Sequence, residues 1–257
     1  MSTQPAAKPT PRNGRPTVPV TLDGTEHLAY EGETVLELAR RVGVPIPTLC
    51  HLDGLSIYGG CRLCMVEVGG GPRLSPSCAL EVSEELEVTT NSWDLHEHRR
   101  RIIEMLFAEG SHVCAFCVSS GSCELQDLAA THDVDHIHYD LDHPNAGIDA
   151  SHPKYSLDRD RCVLCTRCVR VCDEVEGAHV WDIAMRGNDA RLVSGMDQPW
   201  GEVPDCTWCG KCVLVCPTGA LSFKGRATGE MVHDPEVVAF LATARDEGKW
   251  IDRKAQT

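Results

Sequence analysis

RCVLCTRCVRVCD at Arg161–Asp173 and DCTWCGKCVLVCP at Asp205–Pro217 are one cysteine word written twice, each reading CxxCxxCxxxC. In proteins that hold two 4Fe-4S cubanes, such a run gives three thiolates to one cluster and sends its fourth to the other. The spacing therefore predicts one cubane on Cys162, Cys165, Cys168 and Cys216, and its twin on Cys172, Cys206, Cys209 and Cys212. A tight loop aims three sulfurs at three corners of a cube, and a helix carries the fourth to the neighbour. Structural zinc also uses CxxC pairs. Zinc ribbons, however, separate two such knuckles by a long loop, whereas gaps of two, two and three residues closing on Cys216-Pro217 form the iron-sulfur pattern. The first copy carries Asp173 where proline is usual, which leaves the ligands intact and concerns only the local turn.

The chain has 257 residues, 15 of them cysteine. An odd count leaves a thiol over in any disulfide framework, and two-residue gaps are wrong for secreted scaffolds, so thiolate-ligated metal in a reducing compartment, the cytoplasm, is expected. Residues 1–16 are proline-rich and polar and read as a disordered tail, without the apolar run of a signal peptide. Nothing later approaches the roughly 20 apolar residues of a membrane span, so a soluble chain without membrane insertion is expected. A formal charge of -14 argues against a nucleic-acid partner. With 5% aromatic residues the conventional cores must be small, and metal ligation has to carry part of the folding free energy.

Toward the N-terminus, Val18, Val20 and Leu22 alternate with other residues up to Asp23-Gly24, a hairpin signal, before a second strand over Thr25–Tyr30. Thr34-Val35-Leu36-Glu37 is a capping box and Gly43 a stop, which predicts a helix over Val35–Val42. Cys50, Cys61 and Cys64 follow, with Cys78 beyond a strand at Met65–Val68 and a glycine turn. Four cysteines in this order suit one 2Fe-2S cluster; a zinc site in a β-rich domain is the alternative. Gly59 and Gly60 let backbone amides approach the sulfides.

From Asn91 the pattern turns helical, with Leu95, Ile102, Ile103, Leu106 and Phe107 on one stripe and Gly110 as a C-cap. Cys114, Cys117 and Cys123 come next, with a helix starting near Ser122. Three cysteines cannot close a 4Fe-4S cubane, and the other sites use four each, which exhausts all 15. His112 is the nearest candidate for the fourth ligand, since imidazole replaces thiolate on some iron-sulfur irons; His96 and His98 are the alternatives across the helix. His132–Asp160 reads as a polar connector without obvious chemistry. HVWDIAM and ARLVS, around a Gly187-Asn188-Asp189 turn, read as a β-hairpin inserted between the cysteine words. Asp234-Pro235 starts a last helix, with Val237, Val238, Phe240, Leu241 and Ala244 as its apolar face.

The expected fold class is α+β. It comprises a β-grasp 2Fe-2S ferredoxin domain at 17–92, a small helical 4Fe-4S domain with one histidine and three cysteine ligands at 93–133, and a connector at 134–156. A two-cluster 4Fe-4S ferredoxin domain with an inserted hairpin follows at 157–225, and a C-terminal helical tail at 226–257. The cofactor set is one 2Fe-2S and three 4Fe-4S clusters. No glycine-rich phosphate loop or catalytic triad is present, so no catalytic residue is expected.

The phrases IPTLCHLDGLS, CRLCMVEV, HVCAFC with GSCELQDLA, RCVLCTRCVRVCDEVEGAHVWDIAMRG, VSGMDQPWG and CGKCVLVCPTGA, running from Ile46 to Ala220, carry a resemblance that covers nearly the whole chain. By them it resembles the diaphorase ferredoxin subunits of bidirectional NAD-reducing nickel-iron hydrogenases. The ten-residue gap between Cys50 and Cys61 is similar to that of the variant ferredoxin domains of respiratory and hydrogenase subunits. The same order opens the large iron-sulfur subunit of complex I, NAD-dependent formate dehydrogenase and iron-only hydrogenase. Those chains continue into large domains, whereas this one ends 41 residues after Cys216, so no molybdopterin-type or hydrogen-cluster domain is expected. In the related complex I subunits the cluster-ligating histidine stands four residues before the first cysteine, a position occupied here by Gly110. The resemblance implies an electron relay between a flavin/NAD-binding diaphorase subunit and the small and large subunits of a nickel-iron hydrogenase. A complex I-like NADH dehydrogenase or formate dehydrogenase module is the alternative within that class, and a zinc-stabilised scaffold the alternative outside it.

Overall fold

A computed structural model describes residues 16–142 and 146–246. The tail expected over residues 1–16, apart from Pro16, and the part of the C-terminal tail after residue 246 lie outside the described residues. Two compact units share the chain: Met1–Thr48 with Gly59–Ile102, and Leu49–Tyr58 with Ile103–Thr257.

In the first unit, β1 (Thr17–Leu22) and β2 (Thr25–Tyr30) pair antiparallel from Thr17 opposite Tyr30 to Leu22 opposite Thr25. Their turn, Asp23-Gly24, has φ of 48° and 77°, the left-handed pair that matches the twist of a two-residue hairpin. Helix α1 (Val35–Val42) begins on the capping box: the Thr34 side chain accepts from the Glu37 amide at 3.2 Å, and the Thr34 amide donates to Glu37 Oε2 at 2.7 Å. It ends on Gly43 at φ 81°, whose N–H reaches the Ala39 and Arg40 carbonyls. Strands β3 (Met65–Val68), β4 (Leu74–Pro76) and β5 (Leu86–Thr89) complete a sheet of order β2-β1-β5-β3-β4, in which only the β1–β5 pairing is parallel. Val35, Leu36, Leu38 and Ala39 of α1 bury themselves with Val20, Leu22, Val66 and Val88 of the sheet. Each of these valine and leucine side chains contributes about 1.5–3 kcal/mol of transfer free energy.

Helix α2 (Trp93–Ala108) opens on Ser92, whose hydroxyl accepts from the Leu95 amide at 3.1 Å. It stops at Ala108, before Gly110. No left-handed backbone is found at Gly110, which is needed instead for close approach: a Cβ there would meet His112 Nε2 at 2.6 Å and the Asp160 carbonyl at 2.7 Å.

The second unit adds α3 (Glu124–Thr131), β6 (Ile148–Asp149), β7 (Tyr155–Asp158), α4 (Arg167–Arg170), β8 (Trp181–Ala184), β9 (Arg191–Ser194), α5 (Lys211–Leu214), β10 (Leu221–Phe223) and α6 (Pro235–Asp246). β8 and β9 form the antiparallel hairpin expected between the cysteine words. β10, β7 and β6 form an antiparallel sheet, so the stretch read as a plain connector supplies two of its three strands. The local sequence hides this because β7 is stabilised by a partner more than 60 residues away, with Tyr155 opposite Phe223.

α4 continues as a π-helical segment over Val171–Glu176 and closes on left-handed Gly177. Asp173 lies inside that segment, where a proline would break the helix; the second word ends its short helix before Pro217. In α6 the buried face is Val238 and Ala242, with Ala242 against Gly54, whereas Val237 and Phe240 are exposed. The expected face was wrong at those two positions because a five-residue apolar cluster does not fix the helix's rotation.

Thr34→Ala removes the α1 cap at a cost of about 1 kcal/mol. Hydrogen exchange should show the Leu36 and Leu38 amides opening about fivefold more often, with β1 amides unchanged.

Candidate metal centres

Each cysteine word is a loop with left-handed backbone at two positions, running into a short helix. Leu164 and Thr166 in the first, and Trp208 and Gly210 in the second, have φ of 50°, 60°, 61° and 75°. For leucine, threonine and tryptophan this conformation costs about 1–3 kcal/mol each. The left-handed backbone recurs at the same two positions of both copies, and only the second copy uses glycine, at Gly210, to avoid the cost there.

Above the first loop lies a cavity lined by Cys162, Cys165, Cys168 and Cys216. Above the second lies one lined by Cys172, Cys206, Cys209 and Cys212. The fourth cysteine of each word thus faces the other word's cavity. Cys168 and Cys172 are separated by four residues, about 6 Å of helix rise.

Backbone amides donate to these sulfurs. The Val180 N–H reaches Cys172 Sγ at 3.3 Å, and amides of Leu164, Arg167 and Thr218 favour the thiolates of Cys162, Cys165 and Cys216. The Trp181 indole does the same for Cys212. Burial works against them, pushing the thiols of Cys162 and Cys165 up to about 12 and raising those of Cys168, Cys172, Cys212 and Cys216. Thiolates here need a cationic centre beside them. The donor set and the amides directed at it together fit a multi-atom iron-sulfur group. Among the described residues no group of three or more His, Cys, Asp or Glu side chains could hold a single metal ion.

A third cavity is lined by His112, Cys114, Cys117 and Cys123. Cys114 opens a 3-10 turn over Cys114–Phe116, and Cys123 is the N-cap of α3. Amides of Gln126 and Leu125 favour the Cys123 thiolate, while burial pushes the thiol up to about 11. His112 packs edge-on to Phe107 at 5.4 Å. Burial and then Arg161 hold its ring down at about 4, so the imidazole is neutral at physiological pH; the Leu106 carbonyl, which accepts from the ring, opposes that shift. His112 Nε2 is buried without a hydrogen-bond partner. Glycine makes room here twice, since a Cβ on Gly219 would lie 2.4 Å from Cys117 Sγ, as one on Gly110 would crowd His112. An orphaned imidazole lone pair beside three thiols fits metal ligation. His96 and His98 are half-buried residues of α2.

In the first unit, Cys64 and Cys78 place their sulfurs 3.4 Å apart, and Cys61 is half-buried after Gly59 at φ 66° and before Arg62 at φ 59°. Buried Arg99 of α2 holds this loop, donating to the carbonyls of Leu63 at 3.3 Å, Met65 at 3.1 Å and Thr90 at 2.9 Å. Cys50 belongs to the segment Leu49–Tyr58 of the second unit, where it is buried. Its carbonyl accepts from Arg170 Nη2 at 2.5 Å, and the same nitrogen reaches the Cys165 carbonyl at 3.3 Å. Arg170 Nη1 donates to the Ser56 carbonyl. Beside it, Arg167 makes a two-pronged pair with Glu124, at 2.5 and 2.9 Å, and donates to the His51 carbonyl at 3.0 Å. Burial would pull the Arg167 guanidinium down; Glu124, Cys165 and Cys216 together raise it.

Sequence reasoning passed over Arg99, Arg167, Arg170 and His152. For Arg170 a signal existed. Overlaying the two words sets it against Leu214, and an arginine where the repeat has leucine marks a buried cation with a specific partner. His152 carried none. It lies fully buried among Tyr155, Trp200 and Trp208, with Nε2 at 3.9 Å from Cys206 Sγ.

Three families match in succession: a 2Fe-2S iron-sulfur cluster binding domain over residues 15–93, the NADH-ubiquinone oxidoreductase-G iron-sulfur binding region over 99–138, and the NADH-quinone oxidoreductase subunit 3 ferredoxin-like domain over 153–222. The chain is thus a mixed α/β protein with a 2Fe-2S ferredoxin domain and 4Fe-4S binding regions. The NADP-reducing hydrogenase subunit HndD of Solidesulfovibrio fructosivorans is 38% identical over 79% of the chain, and the second NADH-quinone oxidoreductase G chain of Rhizobium meliloti is 35% identical over 79%. The chain spans only 35% and 24% of those two proteins. The crystal structure of an NAD+-reducing NiFe hydrogenase in the H2-reduced state superposes with a TM-score of 0.77 at 40% identity, covering 82% of this chain and 88% of that one. The gamma chain of the NAD-reducing hydrogenase HoxS of Cupriavidus necator is 33% identical over 79% of this chain and 86% of its own length. Identity at that level across nearly a whole relative places membership beyond the shared domains: the chain belongs to the family of NAD-reducing hydrogenase gamma chains, iron-sulfur proteins related to the G chain of NADH-quinone oxidoreductase.

Proposed function

We propose that this chain is the iron-sulfur electron-transfer subunit of a cytoplasmic hydrogen:NAD+ oxidoreductase, relaying electrons between a flavin/NAD-binding diaphorase subunit and the small and large subunits of a nickel-iron hydrogenase. The observation that carries this reading is the set of three cavities, each lined by four cysteines or by His112 and three cysteines, in a chain of that family. Among the described residues no helix is long and apolar enough to cross a membrane. The ligand sets are Cys162, Cys165, Cys168 and Cys216; Cys172, Cys206, Cys209 and Cys212; His112, Cys114, Cys117 and Cys123 in a small helical domain; and, for a two-iron cluster on a β-grasp ferredoxin domain, Cys50, Cys61, Cys64 and Cys78. When bound, the clusters supply one-electron chemistry. The chain's own part is to hold them, exclude water, and point N–H groups at their sulfurs.

The native complex should reduce NAD with hydrogen and show a brown colour that dithionite bleaches. The isolated subunit should carry about 14 irons, with comparable sulfide. A reproducible value near 10 removes one cubane; stoichiometric zinc with no colour favours a scaffold instead.

Cys172→Ala should damage the cluster on Cys206, Cys209 and Cys212, leaving that on Cys162, Cys165 and Cys168 in place, as EPR of the reduced variant will show. Loss of its sequence neighbour instead would overturn the crossed assignment.

Imidazole is neutral where thiolate is charged. His112→Cys should therefore retain four irons and lower that cluster's potential, and His112→Ala should make the cluster labile. A full cubane with unchanged potential in His112→Ala would leave His96, His98 or water as the ligand.

A further inference from the structure

His152 lies in the turn before β7, and its surroundings fix both its position and its proton. The ring is fully buried, stacked on Tyr155 with centroids 4.6 Å apart and set 4.7 Å from Trp200. The backbone beneath it is clamped. Gly201 donates to Ser151 Oγ at 2.8 Å and Trp200 to Asp149 Oδ2 at 2.7 Å, and a Cβ on Gly201 would meet the Ser151 carbonyl at 2.4 Å.

Nδ1 accepts the Lys154 backbone N–H at 3.1 Å. A nitrogen that accepts carries no proton, so the proton of a neutral ring sits on Nε2. Nε2 is the atom 3.9 Å from Cys206 Sγ. The backbone thus forces the ring to present a donor, not a lone pair, to that sulfur. An N–H directed at a ligand sulfur stabilises the reduced, more negative cluster and raises its potential.

We propose that His152 is a positioning residue for the cubane of Cys172, Cys206, Cys209 and Cys212, donating Nε2–H to Cys206 and raising that cluster's reduction potential. The inference rests on the ligand set given above. A stretch outside both cysteine words would then tune one cluster without ligating it.

The test is an EPR-monitored redox titration of the intact complex, with iron and sulfide determined on each sample. His152→Phe keeps an aromatic ring in the stack and deletes the donor. At a fixed potential its reduced-to-oxidised ratio for this cluster should fall about three- to tenfold, tenfold being about 59 mV for one electron. The other clusters should not move, and His152→Gln, which returns an amide N–H, should recover most of the loss. Full iron content with an unmoved midpoint in His152→Phe overturns the proposal. Should that variant lose iron, the wild-type complex labelled with 15N-histidine decides: a weak 15N coupling on this cluster's signal is expected, and its absence overturns the proposal. Cys206→Ala separates the premise from the inference, since unchanged iron and an unchanged signal there refute the ligand set itself.

Discussion

A buried thiolate needs a positive neighbour, and this requirement governs the second unit. Thiols of Cys162 and Cys165 are pushed up to about 12 by burial, a state in which they would not ionise at neutral pH. An iron centre reverses that balance by supplying charge at the sulfur itself. Loading of a cluster would then be coupled to folding, because Val171, Val213, Val215 and Leu221 pack in the same cluster as Cys168, Cys172, Cys212 and Cys216. The apolar core and the ligand shell are not separate layers here.

The same requirement explains why an acidic chain buries arginines. Arg167 is held by Glu124 and faces Cys165 and Cys216, while Arg170 ties the carbonyls of Cys50, Ser56 and Cys165 together. A planar guanidinium with five donors satisfies several carbonyls at once, which lysine cannot do. The second word has Lys211 and Leu214 at these positions, and Lys211 pairs with Glu176. The two copies therefore share cysteine spacing and loop handedness but not charge, so their cavities differ electrostatically although their ligand words match.

Features that depend on neighbours in sequence were legible: the Asp23-Gly24 turn, the Thr34–Glu37 cap, the β8–β9 hairpin, and the spacing that brings Cys162, Cys165 and Cys168 to one cavity. Features that depend on distant partners were not. β7 is a strand because Phe223 lies opposite Tyr155, and His152 matters because Cys206, 54 residues away, lies beside it. Gly110 looked like a helix stop, yet its lack of a side chain serves the His112 ring. In α6, a continuous apolar run over Val237–Ala242 suits several rotations, and Ala242 is the residue set against Gly54.

The difference between Asp173 and Pro217 shows how a repeat diverges once its copies have different exits. After Cys216 the chain turns at once, with the Thr218 carbonyl 3.3 Å from the Cys216 sulfur and β10 beginning at Leu221. Proline suits that break, since it lacks an N–H and cannot continue a helix. After Cys172 the chain must instead reach β8 from above the other cavity. It does so by widening into a π-helical segment through Glu176, turning on left-handed Gly177, and returning the Val180 N–H to the Cys172 sulfur at 3.3 Å. Residue 173 has to sit inside that helical segment, which aspartate allows and proline does not. The departure from the usual word is thus what lets the chain after the fourth cysteine stay helical long enough to double back and donate to the sulfur it has just passed.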